Sequence, residues 1–274
     1  MGDMISVMKR YEIKYILNKE QTSYLVEALK GHMEVDEYGM TSIASLYYDT
    51  PNYRLIRESM DKPLFKEKVR LRSYGLSKPG KPVYLELKRK AYGIVYKRRV
   101  QTSIDDVNKF FDGESNTFDN KQISNEITYF RDYYNKLIPT CLIIYDRVAY
   151  FEPGGDLRLT IDYNPRYRVD DLNLSTSMDG ISLLNEGDTI LEVKVQESIP
   201  LWLSSILDKG KIYQNSISKY GEAYKRELIN DRRGMVNYVW SNIFKWNFNK
   251  CRTILYYGRC CHIIRIYIFM DIII

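Results

Sequence analysis

Lys66-Glu67-Lys68-Val69-Arg70-Leu71-Arg72 decides how the rest of this 274-residue chain is read. As a β-strand it alternates its side chains between two faces. Lys66, Lys68, Arg70 and Arg72 fall on one face, and Phe65, Val69 and Leu71 on the other with Glu67 among them. A single strand of this kind is equally an edge strand with a wet basic face. The pattern, however, recurs along the chain with both signs of charge. Glu12 and Lys14 share a face, as do Glu86 and Lys88 with Leu85 and Leu87 behind them, and Tyr145 and Arg147. Arg158, Thr160 and Asp162 lie opposite Leu157, Leu159 and Ile161; Glu192, Lys194 and Gln196 lie opposite Leu191, Val193 and Val195.

Hairpin sheets ordinarily bury the apolar face and wet the polar one. Two features favour the inverse here. Helices with apolar stripes need an apolar sheet surface to rest on, and the polar faces are almost all Arg, Lys and Glu rather than Ser, Thr or Asn. A sheet that is apolar outside and ionic inside predicts a closed barrel whose bore holds a highly charged ligand.

In chain order, strands are expected at 7–17, 41–50, 63–74, 82–90, 94–102, 140–151, 156–169 and 189–196, with 170–186 a polar loop. Helices are expected at 19–32, capped by Asn18 and with Tyr24, Leu25, Ala28 and Leu29 inward, and at 105–111, 119–137, 200–208 and 216–229. Residues 55–60 form a short helix or a bend. Eight strands joined mostly by hairpins, with helices inserted between groups, give an α+β fold built on an antiparallel sheet. Gly75-Leu76-Ser77-Lys78-Pro79-Gly80-Lys81 has the spacing of a phosphate-binding loop, but Pro82 and a strand follow it, so it reads as a hairpin turn.

The net charge of +6 points to an anionic partner only weakly. Residues 1–18 hold no apolar core of signal-peptide length, and no stretch offers the roughly 18 apolar residues of a membrane span. Four cysteines, one of them isolated at Cys141, and two histidines make neither a disulfide framework nor a zinc signature. The expectation is a cytoplasmic protein, with the inner membrane surface and a membrane partner protein as open options.

Clustered cations out of bulk water call for counter-charge, since an unpaired buried ion costs several kcal/mol, of order 3–5. A polyanion is the natural occupant, and the guanidinium fork suits phosphate oxygens. Carboxylates facing a phosphate chain would repel it unless a divalent cation, Mn²⁺ or Mg²⁺, intervened. Nucleic acid fits less well, because most aromatic residues alternate away from the cationic face.

Eight motifs in order then resemble a known family: Arg-Tyr-Glu-Ile-Lys-Tyr (10–15), Ser-Leu-Tyr-Tyr-Asp-Thr (45–50), Lys-Val-Arg-Leu-Arg-Ser-Tyr-Gly (68–75), Leu-Glu-Leu-Lys (85–88), Tyr-Asp-Arg-Val-Ala-Tyr (145–150), Leu-Arg-Leu-Thr-Ile-Asp (157–162), Leu-Glu-Val-Lys (191–194) and Ser-Ile-Ser-Lys-Tyr (216–220). They resemble the polyphosphate polymerase domain of the vacuolar transporter chaperone (VTC) family in its bacterial form. That domain belongs to the triphosphate tunnel metalloenzymes, alongside the CYTH adenylyl cyclases and thiamine triphosphatases. The resemblance covers residues 7–230 and implies an eight-stranded antiparallel β-tunnel with helices outside and a C-terminal helix at one mouth. It implies transfer of the ATP γ-phosphate onto a growing polyphosphate chain. Lys14, Arg70, Arg72, Lys88, Arg147 and Arg158 would grip phosphate oxygens, with Tyr145 adding a hydrogen bond. Glu192 would hold the metal, with Glu12 and Glu86 as further candidates. Ser218 and Lys219 would sit beside the reacting phosphate, where Lys219 accepts a proton or stabilises charge; Arg70 and Arg72 join them as catalytic candidates. The superfamily carries Glu at the position of Arg10, and one fewer carboxylate fits polymer handling better than two-metal hydrolysis. A triphosphatase, a nucleotidyl cyclase and a non-catalytic polyphosphate-binding module are the alternatives.

Residues 231–274 fall beyond the resemblance. They mix Trp240, Phe244, Trp246 and Phe248 with three cysteines and a terminal run of isoleucines, without clean periodicity. A docking segment, a membrane-surface patch and an unrelated extension all remain open.

Overall fold

The computed structural model describes residues 11–227 apart from 93, 116, 117 and 119. Arg10, the start of the first expected strand and the 231–274 extension lie outside the described residues.

The alternating segments become strands β1 (Tyr11–Leu17), β2 (Glu34–Asp49), β3 (Phe65–Tyr74), β4 (Val83–Ala91), β5 (Ile94–Thr102), β6 (Ile138–Phe151), β7 (Arg158–Arg168) and β9 (Thr189–Val195). They form one antiparallel sheet in the order β1-β9-β7-β6-β2-β3-β4-β5. A short β8 (Ile181–Ser182) pairs with β7 inside the segment expected to be a loop. The sheet is curled rather than strictly closed: β1 and β5 end the order and are not paired with each other. The free edge of β1 is engaged instead by the chain that precedes the last helix. Gln214 bridges to Tyr15, and Asn215 N donates to Lys14 O at 2.7 Å.

Cross-strand partners share a face, so the register carries the charged positions around one side of the sheet. Lys14 pairs with Glu192, Arg147 with Asp162, Arg70 with Glu86, and Glu86 with Arg99. The opposite face is apolar and takes the helices. Helices α3 (Ile104–Phe111) and α4 (Lys121–Tyr134) bury Val107, Phe110, Ile127 and Phe130 against Leu46, Val69, Leu71 and Leu85. Helix α1 (Lys19–Ala28), its C-cap Leu29 and helix α5 (Leu201–Lys209) bury Leu25, Leu29, Leu203 and Leu207 against Leu159, Leu191 and Val193. Each such side chain contributes about 1.5–3 kcal/mol of apolar transfer. Glu67, the one acid on this outer face of β3, is neutralised by Arg89 and accepts from Tyr134 OH at 3.2 Å.

Three expectations change. The first helix stops at Ala28, and Thr22 rather than Tyr24 faces inward; the Thr22 hydroxyl is held by Thr189 Oγ1 at 2.8 Å, while Tyr24 is exposed. Strand β2 begins at Glu34 instead of residue 41, because its first part pairs with β6 through exposed residues that show no apolar alternation. The inner face is also not ionic throughout. On β2 and β6 it carries Ile43, Tyr47, Cys141, Ile143 and Tyr145, packed with Tyr220 and Ala223. The turn at 75–81 is the hairpin expected, with Gly75 and Gly80 at φ +70 and +79, a region that favours glycine. Among the described residues no helix is long and apolar enough to cross a membrane.

The helix starting at residue 219 is tied to this inner sector through Asp49, which is 0% exposed. The Asp49 carboxylate accepts from Leu55 N at 2.8 Å and Ile56 N at 3.0 Å, at the start of α2 (Arg54–Met60), and from Tyr220 OH at 2.9 Å. Tyr220→Phe removes a donor from a buried carboxylate and is expected to cost about 1–3 kcal/mol in urea unfolding. A loss below about 0.5 kcal/mol, the scatter of ordinary surface substitutions, would show that Asp49 does not anchor this helix.

Candidate functional site

The inner face gathers its charge into three connected groups. On β3–β5, Glu86 is 1% exposed and enclosed by cations. Arg70 Nε donates to Glu86 Oε2 at 2.8 Å, and its Nη1 to Tyr47 OH at 2.9 Å. Lys97 Nζ lies 2.8 Å and Arg99 Nε 3.5 Å from Glu86 Oε1, and Arg72 Nη1 lies 3.7 Å from Oε2. Burial pushes the Glu86 carboxyl up, but Arg70, Arg72 and Lys97 outweigh it and hold the group at about 2.

On β6 and β7, Asp162 is 0% exposed. Arg147 Nη2 donates to Asp162 Oδ2 at 2.8 Å, and Lys219 ion-pairs with the same oxygen. Burial raises this carboxyl while Lys219 and Arg147 pull it down to about 2. Tyr145 connects the two groups: Arg72 Nη2 donates to its hydroxyl at 3.3 Å, and Lys219 Nζ stands 4.5 Å from its ring centroid. Burial would raise the Tyr145 hydroxyl, yet Arg147 and Arg72 lower it to about 8.

On β1 and β9, Glu192 lies 2.8 Å from Lys194 Nζ and 3.7 Å from Lys14 Nζ. Burial opposes its ionisation, and Lys194 and Lys14 nevertheless hold it well below the usual carboxylate range. Burial lowers the Lys14 ammonium, with Glu192 partly restoring it. Glu12 meets Lys88 Nζ at 2.9 Å, a contact that reaches from β1 to β4.

The segment 217–219 enters between these groups. Lys14 Nζ donates to Ile217 O at 3.3 Å, and Lys68 Nζ to Ser218 Oγ at 3.1 Å. Of the residues expected from sequence, Lys14, Arg70, Arg72, Glu86, Tyr145, Arg147, Glu192, Ser218 and Lys219 are linked through these contacts, directly or through Asp162 and Lys68. Arg158 stands apart. It is exposed at the start of β7, donating to Leu157 O at 3.2 Å and lying over the Phe151 ring. Lys219 has a carboxylate against it instead of cations alone. Sequence reasoning placed Lys68 and Asp162 on charged strand faces without giving them a role, and it missed Lys97 and Arg99. Asp162 was visible on the Arg158–Thr160 face; Lys97 and Arg99 follow only from the β4–β5 register, which sets them opposite Lys88 and Glu86.

Among the described residues no three metal-ligating side chains converge. Glu86 is surrounded by arginine and lysine and offers a poor cation site. Glu192 and Glu12 are diagonal neighbours on one face of the β1–β9 pair. These two carboxylates are the residues that could contribute oxygen ligands to a divalent cation, with water and phosphate oxygens supplying the others.

The VTC domain family matches this chain over residues 9–227. The chain belongs to that family. A search of curated proteins gives no match. Among solved structures, a candidate adenylate cyclase from Bacillus halodurans is 16% identical with a TM-score of 0.49, covering 77% of this chain and 96% of its own. A counterpart from Vibrio parahaemolyticus is 12% identical with a TM-score of 0.47, covering 79% and 98%. A candidate adenylyl cyclase from Hippeastrum, described as having a dominant triphosphatase activity, is 15% identical with a TM-score of 0.47, covering 76% and 92%. The inward charged positions of this VTC domain all fall within the matched residues.

Asp162→Asn leaves Arg147 and Lys219 without their shared counter-charge, at an expected cost of about 3–5 kcal/mol near neutral pH. Because the folded carboxyl sits below its unfolded value, its contribution is full above the ordinary carboxylate range and fades as pH falls toward about 2. Denaturant titrations at several pH values should show the gap between wild type and variant narrowing over that window; a constant gap would contradict the assignment.

Proposed function

We propose that this VTC domain is an ATP-dependent polyphosphate polymerase that transfers the γ-phosphate of ATP to the end of a phosphate chain held in the curled sheet. The observation that supports the reading most is the inward set of Arg70, Arg72, Arg147, Lys14, Lys88 and Lys219, in which cations outnumber the carboxylates beside them. Such a surface is complementary to a linear polyanion.

In this reading Arg70, Arg72 and Arg147 supply charge that no accessible pH removes. Arg70 and Arg147 are clamped by Glu86 and Asp162, so their remaining N–H groups are aimed before phosphate arrives. Lys219, braced by Asp162, faces the reacting phosphate with Ser218 beside it. Asp162 is a positioning residue. Arg158 and Lys88 meet the chain farther along. Glu192, with Glu12, would hold Mn²⁺ or Mg²⁺, which would neutralise charge on the phosphoryl group being transferred. Both carboxylates are already matched by lysines, so the ion depends on substrate oxygens for its affinity. Catalysis is then positioning plus charge neutralisation, as phosphoryl transfer requires.

Incubating the purified chain with ATP and Mn²⁺ tests the reading. Acid-labile chains and ADP are expected. Inorganic phosphate alone, cyclic AMP, or retained chain binding without turnover would replace it with hydrolysis, cyclisation or a binding module. Glu192→Gln is expected to abolish metal-dependent turnover, and Lys219→Ala to lower kcat more than it raises KM. Unchanged rates in both would mean that these roles are misassigned.

A further inference from the structure

Two lysines meet the segment 217–219 in opposite surroundings. Lys219 is ion-paired to Asp162. Lys68 projects from β3 toward the same segment and, among the described residues, makes no ion pair with a carboxylate. The charged groups that act on it most are cations: Lys66 and Arg70 on its own strand, Lys88 on β4 and Lys14 on β1. The nearby acids are engaged elsewhere, Glu12 by Lys88, and Glu192 by Lys14 and Lys194. Among the described residues its hydrogen-bond partner is the Ser218 hydroxyl at 3.1 Å. A hydroxyl can accept from an ammonium or donate to a neutral amine; a carboxylate at that position would have fixed the charged form.

We propose that Lys68 is the proton-exchanging residue of this site: a neutral amine while the inner face holds no anion, it takes up a proton as a phosphate chain enters and becomes an ammonium contact to that chain. The inference rests on the reading of the inner face as a phosphate-chain site. Burial, joined by Lys14, Lys66 and Lys88, lowers the Lys68 ammonium to about 7. An entering polyanion acts in the opposite sense and restores the charge. Binding is therefore linked to proton uptake, and affinity falls as pH rises above the free-state value. The proton comes from solvent or from the terminal phosphate itself, and the Ser218 hydroxyl turns from donor to acceptor. Lysine in place of arginine is what makes the exchange available, because arginine stays charged.

Calorimetric titration of tripolyphosphate into the full chain at about pH 8, in two buffers of different ionisation heat, reads the protons taken up. Lys14, Lys66, Lys97 and the Tyr145 hydroxyl are lowered as well, so the comparison with Lys68→Arg isolates one residue. The variant is expected to take up fewer protons, by about one per bound chain, and to show a flatter pH dependence of affinity. Equal uptake in the two proteins, with binding intact, overturns the proposal and leaves the phosphate-chain reading standing. Failure of wild type to bind tripolyphosphate near pH 6.5 (about where Lys68 is charged in any case) overturns both. Trace acetylation of the native wild-type protein, read on the Lys68 peptide across pH, needs no variant. A reactivity midpoint near neutrality supports the proposal, and one in the ordinary lysine range overturns it.

Discussion

The fold depends on keeping like charges together on the inside of a curved sheet. Strand alternation alone would achieve this only by exposing the guanidinium groups to water, where ion pairs are worth about 0–1 kcal/mol and fix little geometry. Curling the sheet changes their value. Glu86 and Asp162, each nearly or wholly buried, become shared anions around which Arg70, Arg72, Lys97, Arg147 and Lys219 are arranged. The carboxylates do not neutralise the site. They are too few for that, and their effect is to hold each cation in one geometry while leaving a net positive surface.

The same logic explains how an open sheet keeps an enclosed interior. Among the described residues β1 and β5 do not pair with each other, and the seam is bridged by side chains and by one backbone segment. Glu12 reaches Lys88 on β4, and the 214–219 chain runs along β1 before turning into a helix. That segment ties the free edge down through Lys14 O and delivers Ser218 and Lys219 to the charged interior. Asp49 and Tyr220 then lock the helix against α2 and β6. Fold closure and site assembly therefore share residues, and a change that frees the 214–219 segment acts on both.

Alternation made most of this legible in the sequence. The basic face of 66–72, the Leu85 and Leu87 backing and the 157–162 pattern gave strand, face and polarity together, because a period of two assigns all three at once. Where exposed residues replace apolar ones, as in 34–40, the signal disappears, and β2 was cut short. The inner apolar sector escaped for a different reason: Ile43, Ile143 and Cys141 sit in runs apolar on both faces, where alternation says nothing about which side is in. The pairing of Lys97 with Glu86, and of Lys219 with Asp162, depends on register and on a segment distant in sequence. Neither is encoded in local pattern, so partners stayed hidden even where positions were right.

The division of labour between arginine and lysine follows from the same burial. Arginine cannot shed its proton, so a buried guanidinium must have an acceptor, and Arg70 and Arg147 each have a nearly or fully buried carboxylate, while Arg72 shares Glu86 with Arg70. Lysine has a second way to lower the cost of desolvation, which is to become neutral. Lys14, Lys66, Lys68 and Lys97 are all lowered from the ordinary lysine range, and Lys68, which among the described residues makes no ion pair with a carboxylate, lies at about 7. An interior with no anion bound can therefore relieve its own repulsion without adding acids that would later repel an entering anion. Arginine at position 68 would keep the sign of the surface but remove that relief.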